Sequence, residues 1–322
     1  MRVLTRGDLE EVLDMRTVID AVERGLVEHA RGTVSMPPRQ VHSVDGVGTA
    51  LVMSAYLGGM GVLALKVVSD FPENRARGLP SLQGGVLLLD ADTGEVLSLM
   101  DGATITALRT GAASALAARA LSVVDAQVVG ILGTGVQART QIQGLWVVRD
   151  LQLVKAYSPT KDHVRTFCQE IADQLEVDTL VADTPREVVE GSDVVIAATN
   201  STEPVLSGAW LEEGVHATSI GSGRVQELDA EVYRRARVIV DWREGALAEA
   251  RDLKDAIAEG AFDPSGIDGE LGQLVAGMRP GRTSKEEITL FRSVGMALED
   301  AATAAVAYER ADEAGLGKDV PL

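Results

Sequence analysis

The chain has almost no cysteine, few aromatic residues, a deficit of positive charge and no long apolar run. Each shortage excludes something. Cys168 is the single cysteine among 322 residues, so no disulfide can form within the chain, and a reducing, cytoplasmic compartment is expected. Aromatic residues make up 3%, which leaves Val, Leu, Ile and Ala to build the core. Lys and Arg number 30 against 48 Asp and Glu, a net charge of -18. That sign is wrong for nucleic acid or an anionic membrane surface, though it leaves room for a local site for a phosphorylated cofactor. No apolar run approaches the roughly 20 residues of a membrane span, and Met1 to Asp8 has no apolar signal core. His29, His42, His163 and His216 lie far apart without ligand spacing, so no metal site is expected.

What is present falls into two patterns. Leu9 to Arg31 predicts two short helices with Asp8 and Asp14 as caps. From Pro37 to Leu99 the pattern is β, with strands at Gln40–Val44, Thr49–Ala55, Gly61–Val68, Gly85–Asp90 and Val96–Met100. Asp92-Thr93-Gly94 is the turn of a hairpin. Thr104 to Leu121 predicts an Ala-rich helix. After Ser122, strands alternate with helices: Gln127–Leu132, Leu151–Tyr157, Asp178–Val181, Asp193–Ala197, Val215–Ser219 and Val238–Asp241. That alternation predicts a parallel, doubly wound sheet. Ile288 to Asp312 predicts one long final helix, with Gly315-Leu316-Gly317 ending the ordered pattern.

The alternating region opens on Gly133-Thr134-Gly135-Val136-Gln137-Ala138, a Gly-x-Gly-x-x-Ala turn between a strand and a helix. The first glycine permits the tight turn, the second lets the backbone approach a pyrophosphate, and Ala138 lets helix and strand pack closely. The turn alone fits a ligand-free loop equally well; its place at the head of a βαβ series makes it a dinucleotide site. The next strand ends at Ser158-Pro159-Thr160-Lys161. A carboxylate there would bond the ribose 2′-hydroxyl of NAD; hydroxyls and a lysine suit a 2′-phosphate, so NADPH is expected over NADH. The same four residues would also serve simply to cap the following helix.

Further motifs stand outside the turn: Met36-Pro37-Pro38-Arg39, Leu65-Lys66-Val67-Val68, and the block Asp101 to Ala113 containing Thr106-Ala107-Leu108-Arg109-Thr110-Gly111-Ala112-Ala113. Together with the glycine turn, and with Gly78-Leu79-Pro80-Ser81, Ala198-Thr199-Asn200-Ser201, Glu203-Pro204-Val205-Leu206 and Phe291-Arg292-Ser293-Val294-Gly295, the chain resembles the ornithine cyclodeaminase/mu-crystallin family over nearly its whole length. The resemblance implies an α/β protein of two domains. Residues 1–121 with 296–322 would form an α+β substrate-binding and dimerisation domain, and residues 122–295 a Rossmann domain. It also implies a homodimer.

Taken alone, Lys66 in an apolar strand reads as an edge or snorkelling side chain, Arg109 as a solvated helix face, and Arg39 as a loop arginine. The resemblance instead implies that Arg39, Lys66 and Arg109 converge on the carboxylate of a small amino or imino acid. Arginine grips a carboxylate with two donors, and a buried lysine exchanges a proton near neutral pH. It further implies cofactor or substrate contacts at Ser81, Thr110, Gly133, Thr134, Gly135, Val136, Gln137, Ser158, Thr160, Lys161, Thr199, Asn200, Ile220, Gly221 and Ser293.

Two departures sort the family's activities. Leu51 and Val52 are apolar where similar cyclodeaminases and alanine dehydrogenases carry a charge, and Ser219-Ile220-Gly221-Ser222-Gly223-Arg224 lacks the aspartate of cyclodeaminases. Both features are shared with mu-crystallin-like reductases. The expected activity is NAD(P)H-dependent reduction of an imine of an α-keto acid. The alternatives are cyclodeamination of ornithine or lysine with bound NAD, for which Glu227 or Asp229 would have to replace the missing base, alanine dehydrogenation, and a non-catalytic binding role. Ring size of the substrate would depend on the loops Asp70–Pro80 and Ser219–Arg224.

Overall fold

The computed structural model describes residues 1–321; Leu322, the last residue of the expected C-terminal segment, lies outside the described residues. The chain forms two compact units, one of Met1–Arg109 with residues 296–321, the other of Thr110–Gly295.

The first unit starts with β1 (Arg2–Leu4), α1 (Arg6–Val12) and α2 (Met15–Ala30). Asp14 caps α2, accepting from the Thr17 N–H. Asp8 is not the cap of α1; Thr5 is, and Asp8 closes the reciprocal capping box from the third helical position. The chain continues through β2 (Val34–Ser35), β3 (Gln40–Val44), β4 (Gly48–Leu57), β5 (Val62–Asp70), β6 (Leu82–Asp90) and β7 (Val96–Asp101) into α3 (Gly102–Leu121). The β6–β7 turn forms as expected: Asp90 accepts from the N–H groups of Asp92 and Thr93, and Gly94 has φ +76°.

The second unit runs through β8 (Val128–Leu132), α4 (Val136–Val148), β9 (Leu153–Tyr157), α5 (Lys161–Leu175), β10 (Asp178–Val181), α6 (Pro185–Val189), β11 (Val194–Ala197) and β12 (His216–Ser219). It then continues through α7 (Ala230–Arg235), β13 (Arg237–Val240), α8 (Arg243–Glu249), α9 (Arg251–Ala258), β14 (Ile267–Glu270), α10 (Leu271–Val275) and β15 (Thr289–Arg292). The first unit is completed by α11 (Ala297–Ala314) and β16 (Lys318–Asp319).

Two expectations fail at the C-terminal end. Ile288 to Asp312 is not one helix: Thr289–Arg292 is a fully buried strand between β12 and β13, and the helix starts at Ala297. The β-branched and aromatic run Ile288-Thr289-Leu290-Phe291 suits a buried strand, and Gly295, at φ +83°, breaks the chain between the two. Nor does order end at Gly317, since β16 pairs antiparallel with β1.

Among the described residues each unit holds one eight-stranded sheet. In the first unit the order is β16-β1-β7-β6-β5-β4-β2, with β3 added on β4. Antiparallel pairing predominates, and α2 and α11 cover one face. Alternation along β5 turns Val62, Ala64, Lys66 and Val68 inward, opposite Leu57, Ala55 and Met53 on β4. In the second unit the order is β10-β9-β8-β11-β12-β15-β13-β14, all parallel. The strand order reverses between β8 and β11, the topological switch point at which such sheets bind ligands.

Candidate active site

Lys66 lies in the middle of the first sheet, on its covered face, 2% exposed. It is neither an edge residue nor a snorkelling one. Its Nζ donates to Asp300 Oδ1 at 2.9 Å. Arg109, at the end of the first unit's part of α3, donates from Nε to the same oxygen at 3.2 Å and from Nη1 to Glu299 Oε2 at 2.6 Å. Asp300 and Glu299 sit in the first turn of α11, where the helix dipole favours negative charge. Two buried cations are thus balanced by two buried anions. The second Asp300 oxygen is buried without a hydrogen-bond partner, and Arg109 Nη2 takes part in neither of the pairs described. Burial, with repulsion from Arg109, pushes Lys66 down to about 8 despite the opposing Asp300 charge. For Arg109, burial works against the charge, and Asp300 and Glu299 together outweigh it, so its proton affinity rises.

Such a cluster is a poor source of stability, because the desolvation of buried ions cancels most of their attraction. Its presence at a position suited to valine therefore argues for chemistry. The sequence motifs did not include Glu299 and Asp300; the pair on a helix that otherwise buries mostly alanine was the available signal. Arg39 is half-buried. Continuing the β3–β4 register by one residue sets it opposite Met53, the cross-strand partner of Lys66, which places it in the same row of the sheet. Ser81, just before β6, accepts from the Phe71 N–H.

In the second unit the remaining predicted residues gather at the carboxyl ends of neighbouring parallel strands. Gly133 follows β8 with φ +101°, and a Cβ there would stand 2.2 Å from the Ala198 carbonyl oxygen; only glycine fits. A Cβ on Gly135 would meet nothing within 4 Å, which leaves open space at the start of α4, where unpaired N–H groups face outward. Gln137 Oε1 in this turn is buried without a partner. The open space and the outward N–H groups fit a bound pyrophosphate; the Gln137 oxygen, an acceptor like the phosphate oxygens, adds nothing to that fit. Arg139, absent from the predicted set, donates from Nη1 to the carbonyls of Thr134 (2.7 Å) and Gly135 (3.1 Å) and pairs with Glu170; it holds the turn in shape. Thr110 belongs here through α3, its carbonyl accepting from Gln141.

After β9, Ser158 Oγ accepts from Thr134 Oγ1 at 3.3 Å. Thr160 caps α5 without a side-chain hydrogen bond. Lys161 opens α5 and donates to Ala182 O and Asp183. Thr199 and Asn200 follow β11, Ile220 and Gly221 follow β12, and Ser293 follows β15. Ser293 Oγ and the N–H groups of Val294 and Gly295 all donate to Asp241 Oδ2 at 2.7–3.0 Å, so Asp241 at the end of β13 fixes that loop.

Neither acidic residue proposed as a substitute base is available. Glu227 is fully buried, accepting from Thr199 and from Ser219 and Gly221. Asp229 caps α7 and accepts from Ser207 and Gly208. Burial pushes His216 down to about 3; it is a neutral core residue between Thr218 and Thr289. Among the described residues no cluster of potential metal ligands occurs, and no helix is long and apolar enough to cross a membrane.

A model of the ornithine cyclodeaminase/mu-crystallin family matches residues 1–315. A Delta(1)-pyrroline-2-carboxylate reductase of Bacillus cereus is 36% identical over 324 residues, covering 99% of each chain. The structure of the Thermococcus litoralis Delta(1)-pyrroline-2-carboxylate reductase in complex with NADH and L-proline is similar with a TM-score of 0.97 and 42% identity, over 99% of this chain and 100% of that one. An archaeal alanine dehydrogenase dimer with bound NAD is similar with a TM-score of 0.94 and 33% identity, over 100% and 99%.

Proposed function

Because the chain belongs to the ornithine cyclodeaminase/mu-crystallin family, we propose that it reduces the imine of a small α-keto acid, cyclic or linear, to the corresponding amino acid. It is an oxidoreductase that uses a nicotinamide cofactor. The observation that carries the reading is the buried, charge-balanced cluster of Lys66, Arg109, Glu299 and Asp300. Arg109 Nη2, with Arg39 in the row beside Lys66, binds the substrate carboxylate. Lys66 Nζ gives a proton to the imine nitrogen. The nicotinamide, when bound, supplies the hydride that the imine carbon accepts. Asp300 keeps the Lys66 ammonium aimed and charged. The absence of a free acidic side chain near Gly221–Arg224 disfavours cyclodeamination, which needs a base there.

The glycine turn, Arg139 and the loops after β9, β11, β12 and β15 hold the dinucleotide. NADPH is preferred: the residue after β9 is Ser158 and not a carboxylate, and the Lys161–Asp183 pair is exposed and so weak enough to yield to a 2′-phosphate. The protein is a homodimer. Register puts Tyr56, Leu63, Leu65, Val67, Leu87 and Leu99 on the uncovered face of the first sheet, and Tyr56, Val67 and Leu99 are 42%, 51% and 38% exposed. An apolar sheet face of this kind calls for a second copy. A buried lone thiol suits the cytoplasm.

One panel tests the activity. Purified protein with NADPH or NADH is offered Δ1-pyrroline-2-carboxylate and larger cyclic imines, pyruvate with ammonia or methylamine, and separately ornithine. Oxidation of the cofactor by cyclic imines, faster with NADPH, is expected. Ammonia release from ornithine with no net change in nicotinamide absorbance would overturn the proposal, and activity confined to pyruvate with ammonia would make the protein an alanine dehydrogenase.

A further inference from the structure

The second unit contains another buried polar cluster, built from Glu227, Asp252, Tyr233 and Arg292. All are at most 2% exposed, and no step above uses them. Arg292 Nε donates to Asp252 Oδ1 at 2.8 Å, and Tyr233 Oη donates to the same oxygen at 2.9 Å. Asp252 Oδ2 accepts from the Glu227 N–H at 3.3 Å, while the Glu227 carbonyl accepts from the N–H groups of Val205 and Leu206, both at 2.9 Å. The backbone of Glu227 is therefore pinned from two sides.

Its side chain is then aimed at two loops. Oε1 accepts from the Thr199 N–H (2.6 Å) and from Thr199 Oγ1 (3.0 Å) in the loop after β11. Oε2 accepts from Ser219 Oγ (2.8 Å) at the end of β12 and from the Gly221 N–H (3.0 Å) just beyond it. The loops close tightly on the carboxylate: a Cβ on Gly221 would stand 2.4 Å from Val225 and 3.1 Å from Glu227 Oε2. Two of the four donors are backbone N–H groups, which can only donate. A carboxylate satisfies one with each oxygen. An amide of the same shape offers a single acceptor oxygen, so one of those N–H groups must go unpaired.

The position of the loops gives this geometry its purpose. In a doubly wound sheet the two halves of a dinucleotide lie to either side of the switch point. Here β8 and β9 lie on one side, with the glycine turn and Ser158. The ends of β11 and β12 lie on the other. We propose that Glu227 is a positioning residue for the nicotinamide half of the cofactor, its carboxylate being the shared acceptor that locks the Thr199 and Gly221 loops in one shape. This rests on the cofactor reading given above.

The test compares wild-type protein with Glu227→Gln and Ser219→Ala, measuring the dissociation constants of NADH and of ADP by calorimetry, with thermal unfolding of each variant. Glu227→Gln is expected to weaken NADH by about tenfold or more, as expected for one unpaired buried N–H in the binding loops. It should leave ADP within about twofold, as for a site that does not share the contact. Ser219→Ala, which removes one donor and leaves the carboxylate, should weaken NADH by less and spare ADP. Equal weakening of NADH and ADP would make Glu227 a general scaffold residue and overturn the proposal, as would unchanged binding of both. Should Glu227→Gln fail to fold, the NADH-to-ADP comparison in Ser219→Ala decides by the same criterion. Failure of wild-type protein to bind either NADH or NADPH would overturn the cofactor reading itself, before any variant is made.

Discussion

Lys66 stands where a sheet core would hold valine, and burial works against its charge while Asp300, with Glu299, works for it. Two predictions follow from that pairing. Reductive kcat/KM should fall as pH rises through about 8, where Lys66 loses its proton. Asp300→Asn removes the charge that holds the proton, so the falling limb should move to lower pH by at least about one unit; a purely structural role for Asp300 would lower the rate without moving the limb. Stability has its own signature. The unfolded chain holds this proton up to the ordinary 10.5 and the folded chain only to about 8. Between those values the unfolded state binds more protons, so this group's contribution to stability rises with pH from 8 to 10.5 and is smallest below 8. Lys66→Met should abolish that rise in denaturant titrations. Arg109→Ala should lower kcat/KM by about ten- to a hundredfold, the worth of one or two charge-assisted hydrogen bonds. Arg109 and Lys66 were named from their motifs; their acidic partners were not, because an ion pair spanning 191 or 234 residues leaves no local spacing to read.

At the level of elements, the turn from β8 into α4 joins conformation to function. Gly133→Ala would pay for a left-handed φ and for a Cβ driven into the Ala198 carbonyl. A loss of about 2 kcal/mol or more in urea unfolding is expected, together with loss of NADPH binding in a fluorescence titration. The turn and the strands around it were legible because glycine spacing and apolar runs of four to six residues are local signals. The last strand was not. Thr289–Arg292 runs straight into an Ala-rich helix, and its apolar residues suit either state. It becomes a strand because β12 and β13 leave a gap between them that only an extended segment fills, and Asp241 then holds Ser293, Val294 and Gly295 in the turn that follows.

At the scale of the whole molecule, the outer face of the first sheet makes a prediction independent of catalysis. Val67→Glu puts a charge at the centre of the apolar face while leaving the covered face untouched. It should convert a dimer of about twice the chain mass into monomer in light scattering, with the second unit still binding cofactor.

The sequence by itself determined the fold class, the family and the glycine turn, since these depend on short-range spacing and residue type; Lys66 and Arg109 were singled out only through the family resemblance. Only the tertiary structure decided that Lys66 is core rather than edge, that Asp300 and Glu299 neutralise the two cations, and that Glu227 is a buried acceptor and not a free base. Burial and ion pairing arise when segments distant in the chain pack together, and no local pattern encodes which side chain they will exclude from water.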